Sequence, residues 1–308
     1  MTTSSHCQRG GLTTFDTFLR TVAHVGACEP TPSIGTILEG NYELVERLAR
    51  GGMATVFRAR DRAHGREVAV KVPDGHADGG DRLLEMFERE ARITARLRHP
   101  NIVVLHHVGR HRLLPYAVLE LLRGEALAQR LARTGALAPA AAIEILDGVL
   151  RALAHAHDHG VVHRDVTPRN VFLCADGRIK LLDFGVAIDR DREAGTITRG
   201  AGTRGYMPPE HHGDTDPRGD LWAAAVLFLE CVTGQRPDLA RSSVVPAAIR
   251  PAFPAGVSRR ARRIIKRALA REVDRRPATA SEMRLALGAS VEREPELGGQ
   301  LAARGGRR

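Results

Sequence analysis

The sequence predicts an α+β fold in two unequal parts, a small strand-rich front with one helix and a larger helix-rich back. Three observations predict it. Between Tyr42 and Leu121 short segments with strand character are separated by Gly-containing or polar turns. One long helical stretch, Asp81–Leu97, interrupts them. Beyond Gly124 the spacing of apolar residues becomes mostly helical.

In chain order, residues 1–40 are rich in Thr, Ser, Gly and Pro and read as an N-terminal extension. Within it Leu12, Phe15, Phe18, Leu19 and Val22 fall at helical spacing, which suits a short amphipathic helix. Tyr42–Leu48, Thr55–Ala59 and Glu67–Val72 are expected strands, followed by the Asp81–Leu97 helix and strands at Ile102–Val108 and Tyr116–Leu121. The two parts join near Leu122–Gly124. Glu125–Arg133 and Ala140–His159 have helical periodicity, and Asp220–Thr233 is a strongly apolar helix. Ala261, Ile264, Ile265, Ala268 and Leu269 mark a late helix whose opposite face is arginine-rich.

Composition narrows the class. A chain of 308 residues with 43% hydrophobic and 27% charged residues can bury a sizeable core, which excludes a disordered or collagen-like protein. Cys7, Cys28, Cys174 and Cys231 form no CxxC pair and read as free thiols in a reducing, cytoplasmic setting. The longest apolar run, Leu221–Leu229, is too short to span a bilayer, and the N-terminus lacks the apolar stretch of a signal peptide. A net charge of +10 raises nucleic acid as a partner. Residues 259–308 alone hold 14 basic and 6 acidic residues, so most of the excess lies on the late helix and an arginine-containing tail. Aromatics are only 4% and do not interleave with the basic residues, which argues against base stacking, and no nucleic-acid partner is expected. Of 46 basic residues only Lys71, Lys180 and Lys266 are lysines, so a lysine here marks a place where arginine does not serve.

Four clusters carry chemistry. Leu48-Ala49-Arg50-Gly51-Gly52-Met53-Ala54-Thr55-Val56 is a Gly-containing turn between strands, which suits either a phosphate cradle or a plain hairpin. Val68-Ala69-Val70-Lys71 puts an ammonium at the end of an apolar strand, where burial demands an anion; Glu90 on the helix is one candidate. His163-Arg164-Asp165-Val166-Thr167-Pro168-Arg169-Asn170 and Leu182-Asp183-Phe184-Gly185 supply hard oxygen donors and a base. Taken singly, each also reads as a turn or cap.

In this order and spacing the clusters resemble a protein kinase, most closely the bacterial serine/threonine kinases of eukaryotic (Hanks) type. The resemblance runs from about Tyr42 to Leu287. It includes Leu97–Val103 at the helix-to-strand junction, Pro209-Glu210, Asp220-Leu221-Trp222, and Arg276-Pro277, whose arginine would pair with Glu210. It implies a bilobal kinase fold over 41–288, with an N-lobe at 41–122, a C-lobe at 123–288 and a tail at 289–308. It implies ATP with Mg2+, or Mn2+ in its place, and protein substrates with Ser/Thr acceptors. Lys71 would hold the α- and β-phosphates and pair with Glu90; Asp165 would orient the acceptor hydroxyl and take its proton; Asn170 and Asp183 would hold the metal. Leu48, Gly51, Gly52, Val56, Ala69, Leu119, Glu120, Leu122 and Phe172 would line the nucleotide site, with Leu119 as gatekeeper and Glu120–Leu122 as hinge. Thr203 resembles the threonine that contacts the catalytic Asp. Thr196 and Thr198 lie in the implied activation segment, where a phosphate would pair with Arg164.

Four positions depart from the family, Ala225 replacing a usual glycine in the large-lobe helix, and the stretch from Pro237 to Pro254 is shorter than usual. Ala49 and Ala54 replace the first and third glycines of its G-x-G-x-x-G, and Thr167 stands where a lysine usually contacts the γ-phosphate. A hydroxyl there supplies no charge. These departures fit a pseudokinase scaffold as the alternative to an active enzyme.

Overall fold

The computed structural model describes residues 31–51, 54–73, 80–112, 114–184, 188–189, 203, 205–210, 216–237 and 253–288. The expected helix within the N-terminal extension, Gly52, Gly185, Thr196, Thr198 and the tail at 289–308 lie outside the described residues.

The front is a six-stranded antiparallel sheet of β1 (Ile37–Leu38), β2 (Tyr42–Arg50), β3 (Ala54–Asp61), β4 (Arg66–Pro73), β5 (Leu105–His111) and β6 (Leu114–Glu120). Its strand order is β1-β2-β3-β4-β6-β5. Strand alternation sorts its side chains. Leu44, Phe57, Val68, Val70, Val72, Tyr116 and Val118 form one buried cluster. Ala69, Lys71, Ala117 and Leu119 therefore point to the other face. The register pairs Val56 with Lys71, Lys71 with Ala117 and Ala69 with Leu119. Helix α1 (Gly80–Arg96) joins β4 to β5.

The back begins with β7 (Gly124–Ala126), α2 (Leu127–Thr134) and α3 (Pro139–Asp158), with Pro139 at the first turn, where a missing N–H costs nothing. Short strands β8 (Val161–Val162), β9 (Val171–Cys174), β10 (Ile179–Leu181) and β11 (Ile188–Asp189) follow. Gly148 lets α3 lie directly on β10, because a Cβ there would come within 2.7 Å of Ile179. Helix α4 (Arg218–Thr233) is buried from Asp220 to Leu229, so it runs through the core with no polar face. Gly234 ends it in the left-handed conformation at φ +71°, and its N–H closes on Glu230 O at 2.8 Å. Helices α5 (Arg259–Ala268) and α6 (Ala280–Leu287) complete the lobe, N-capped by Ser258 and Thr279. Helix α5 buries Ala261, Ile264, Ile265 and Ala268, the apolar stripe expected from the sequence.

Two boundaries differ from expectation. The strand expected at Ile102–Val108 begins only at Leu105. Its first residues are drawn to the other lobe instead: Ile102 bridges Leu181, and Asn101 O accepts from Leu181 N at 2.8 Å. The helix expected from Glu125 begins at Leu127, because Glu125 and Ala126 pair with Leu173 and Phe172 on β9. In both places tertiary pairing outweighs local periodicity.

Arg276 is 1% exposed and forks onto Glu210 at 2.5 and 2.7 Å, with its guanidinium 5.0 Å from the Trp222 ring centroid. Breaking a buried pair from one side strands the other charge. Arg276→Met is expected to lower unfolding free energy by about 3–5 kcal/mol. Urea titration reads the loss, and adding Glu210→Gln is expected to recover part of it.

Candidate active site

Lys71 leaves β4 on the face away from the front core and meets α1. Its Nζ donates to both oxygens of Glu90, at 2.6 and 2.7 Å, and lies 3.6 Å from Asp183 Oδ1. Burial works to lower the lysine pKa, but the charges of Glu90 and Asp183 outweigh it and hold Lys71 above its usual range as an ammonium. Burial pushes the Glu90 carboxyl up to about 7, against the pull of Lys71 and with Asp183 adding to the rise. One ammonium thus faces two carboxylates.

The loop between β8 and β9 is fixed from below by Asp220. The fully enclosed carboxylate accepts the His163 and Arg164 N–H groups, each at 2.8 Å, and the His157 ring at 2.8 Å. Arg164 adopts φ +67° and Asp183 φ +56°, left-handed conformations that need such support in residues other than glycine. His163 Nδ1 accepts from Asp165 N at 3.2 Å, so its proton sits on Nε2 and is donated to Leu182 O at 3.0 Å. The Phe184 ring packs edge-on against His163, 4.7 Å between centroids. One buried imidazole therefore ties the Asp165 loop to the Asp183 segment.

Each oxygen of Asp165 holds one donor. Oδ1 accepts from Thr203 N at 2.9 Å, and Oδ2 accepts from Asn170 Nδ2 at 2.8 Å. The same amide nitrogen also donates to Asp165 O at 2.9 Å, leaving the Asn170 amide oxygen to other partners. Thr203 meets Asp165 through its main chain rather than its hydroxyl. Thr167 is buried, and its Oγ1 is unbonded among the described residues. Arg169 is exposed.

The residues expected to line a nucleotide site differ in exposure. Val56, Leu119, Leu122 and Phe172 are half-buried, Ala69 is buried and Leu48 is exposed. Gly51 closes the β2–β3 turn through its N–H to Ala54 O at 2.8 Å. The Glu120 carboxylate turns inward, its Oε1 accepting from Val104 N at 2.8 Å and Lys180 Nζ at 2.5 Å. Lys180 is 1% exposed and also donates to Ile102 O at 3.1 Å, so it joins β10, the lobe junction and the hinge. Sequence motifs missed it; its rarity as one of three lysines was the available signal. His157 was likewise missed, because a histidine near the end of an apolar helix carries no pattern.

Comparison with known proteins places these residues in context. The family model for the protein kinase domain matches residues 42–285. The chain is 39% identical over 216 residues to serine/threonine-protein kinase PknA of Mycobacterium tuberculosis, covering 67% of this chain and 50% of the relative. It is 37% identical over 221 residues to serine/threonine-protein kinase PknL of the same species, covering 70% and 54%. It is 34% identical over 271 residues to the probable serine/threonine-protein kinase PknB of Bifidobacterium longum, covering 80% and 39%. The chain spans about half the length of the mycobacterial relatives.

Asp220 supplies a test by pH. Burial works to raise its pKa, but the His157 hydrogen bond and charge and the His163 N–H outweigh it and hold the carboxyl below its usual range. A carboxyl depressed on folding stabilises the fold above its unfolded pKa of about 4, and the gain is lost as pH falls through the folded value. The stability difference between wild type and Asp220→Asn, from urea titrations, is therefore expected to shrink as pH is lowered below about 4.

Proposed function

The chain belongs to the protein kinase family, and on that premise we propose that it transfers the γ-phosphoryl group of ATP to serine or threonine hydroxyls of proteins, in the cytoplasm. The observation that carries this is the convergence of Lys71, Glu90 and Asp183 across the two lobes beside an Asp165 held on both oxygens. Phosphoryl transfer asks a protein for positioning and charge compensation more than for covalent chemistry, and this group is built for both.

Each residue has a task in this reading. Lys71, oriented by Glu90, binds the α- and β-phosphates as a compact ammonium. The main chain at Gly51 and Gly52 covers the phosphates, and Leu48, Val56, Ala69, Leu119, Leu122 and Phe172 enclose the base. Asp165 orients the acceptor hydroxyl and takes its proton, while Asn170 and Thr203 keep its two oxygens aimed. Asn170 and Asp183 together offer an amide oxygen and a carboxylate, the hard donors that suit Mg2+ or Mn2+. The surplus of carboxylate over ammonium around Lys71 fits an added cation. Among the described residues no three His, Cys, Asp or Glu side chains group to hold a metal, which suits an ion bound jointly with substrate phosphates. When bound, the ion neutralises charge on those phosphates.

No helix among the described residues is long and apolar enough to cross a membrane, and Cys174 and Cys231 are free thiols, which supports a cytoplasmic setting.

The test is transfer of labelled phosphate from Mg-ATP to the chain itself and to a generic protein acceptor. Wild type is expected to label both on Ser or Thr, with sites at Thr196 or Thr198 found by mass spectrometry. Asp165→Asn is expected to lose about 100-fold or more. Equal labelling by the two proteins would sink the proposal. Lys71→Arg is expected to fail nearly as badly, because a planar fork does not replace a compact ammonium between Glu90 and the phosphates.

A further inference from the structure

Three histidines stand in a row where the two lobes meet. His99 follows α1 in the stretch that leads to β5, and His155 and His159 lie one turn apart at the end of α3. The His99 and His155 rings stack with centroids 5.1 Å apart and planes at 27°, and the His155 and His159 rings are 4.2 Å apart at 40°. Among the described residues no three such side chains group to hold a metal, which leaves proton uptake as the chemistry open to this row.

Hydrogen bonding suits the neutral rings. His99 Nδ1 accepts from Asn101 N at 3.1 Å, so its proton sits on Nε2. His159 Nδ1 donates to His155 O at 2.7 Å, which leaves its Nε2 unprotonated in the neutral ring. His155 Nε2 is buried with no partner among the described residues. A second proton would therefore take the acceptor away from Asn101 N at one end of the row and put an unmatched charge at its centre. The surroundings add to the cost. Arg151 and Lys180 face His99, Arg96 reaches His159 O at 3.4 Å, and Asp158 is the acid that faces His155. Arg151 and Lys180 keep carboxylates of their own, Asp147 and Glu120. Burial first, then neighbouring positive charge, hold His99 and His155 below the usual imidazole range, with Asp158 opposing this at His155.

Asn101 also carries the tie between the lobes. Its Nδ2 donates to Ile179 O and its O accepts from Leu181 N, both at 2.8 Å. The stretch it belongs to comes straight from α1, which holds Glu90 against Lys71. We infer that the His99–His155–His159 row is a pH-sensitive clasp, which holds the lobe junction while its rings are neutral and loosens it when they take up protons in a mildly acidic medium. The clasp acts on the junction and not on the reacting groups, so it goes beyond the kinase reading above. Imidazoles that bind protons more weakly folded than unfolded stabilise the fold fully above the unfolded pKa of about 6.5, and that stabilisation is lost as pH falls below it toward the folded values.

The test compares the full chain with a double variant, His99→Asn with His155→Phe. The asparagine keeps an acceptor for the N–H two residues on, the phenylalanine keeps a ring in the stack, and neither titrates. From about pH 7.5 to about pH 5.5 the unfolding constant, from urea titrations, is expected to rise about 3–10-fold more in wild type than in the variant. Transfer of labelled phosphate is expected to fall by a similar factor more in wild type over the same range. An equal pH dependence of unfolding in the two proteins overturns the inference, and so does an equal fall in measurable transfer. Absence of transfer with the unfolding difference present overturns the kinase reading and upholds the clasp. His159→Gln keeps the inference falsifiable where the double variant does not fold. Removing that charge is expected to move the His155 ring titration to higher pH in NMR spectra of the full chain, and an unmoved titration overturns the inference.

Discussion

Asp220 stands at the first turn of a helix that is apolar on all sides, and its carboxylate holds two consecutive main-chain N–H groups of the loop above it. A charge enclosed this deeply persists only with several donors, and His157 supplies the third. The left-handed turn at Arg164 depends on that grip, because nothing in an arginine favours φ +67°. Once the turn is fixed, His163 and Asp165 have defined positions, and through His163 so does Leu182 beside Asp183. The geometry of the cleft therefore hangs from one carboxylate in the hydrophobic centre of the larger lobe.

The two lobes are joined by polar contacts of different character. Asn101 reaches across to β10 through its main-chain oxygen and through Nδ2 to Ile179 O, and these neutral bonds are insulated from solvent charge. Lys180 and Glu120 place a charged pair at the same junction, nearly dry on the lysine side. Lys71, Glu90 and Asp183 form the third link, at the cleft itself. The first two are fixed by burial. The third sets one ammonium against two carboxylates.

Much of the site was legible before any coordinates, for a physical reason. Lys71, Glu90, Asp165, Asn170 and Asp183 are polar residues in apolar or turn contexts, where their presence needs explaining, and their order along the chain is specific. Five of the six strands of the front sheet were legible as short segments with strand character between turns, and β1 lies in the stretch that read as an extension. What escaped was the support. Lys180 lies on a three-residue strand with no motif, His157 on a helix whose periodicity speaks only of packing, and the inward turn of Glu120 depends on a partner 60 residues away. Local pattern gave the wrong start for the Leu105 strand and the Leu127 helix because pairing with β9 and β10 decides both. Thr167 reads from the sequence as a weakened contact to phosphate, and nothing in its sequence signals that its hydroxyl is buried and unbonded among the described residues.

The scarcity of lysine has a practical side. Lys71 and Lys180 have side chains only 16% and 2% exposed, whereas Lys266 stands on the outer face of α5. For an amine-reactive reagent the native chain therefore presents one open ε-amino group, and the cleft lysine becomes reachable chiefly to a reagent that docks where the phosphates would lie. Acylating dyes and crosslinkers can thus address this protein at a single side chain without any engineered cysteine.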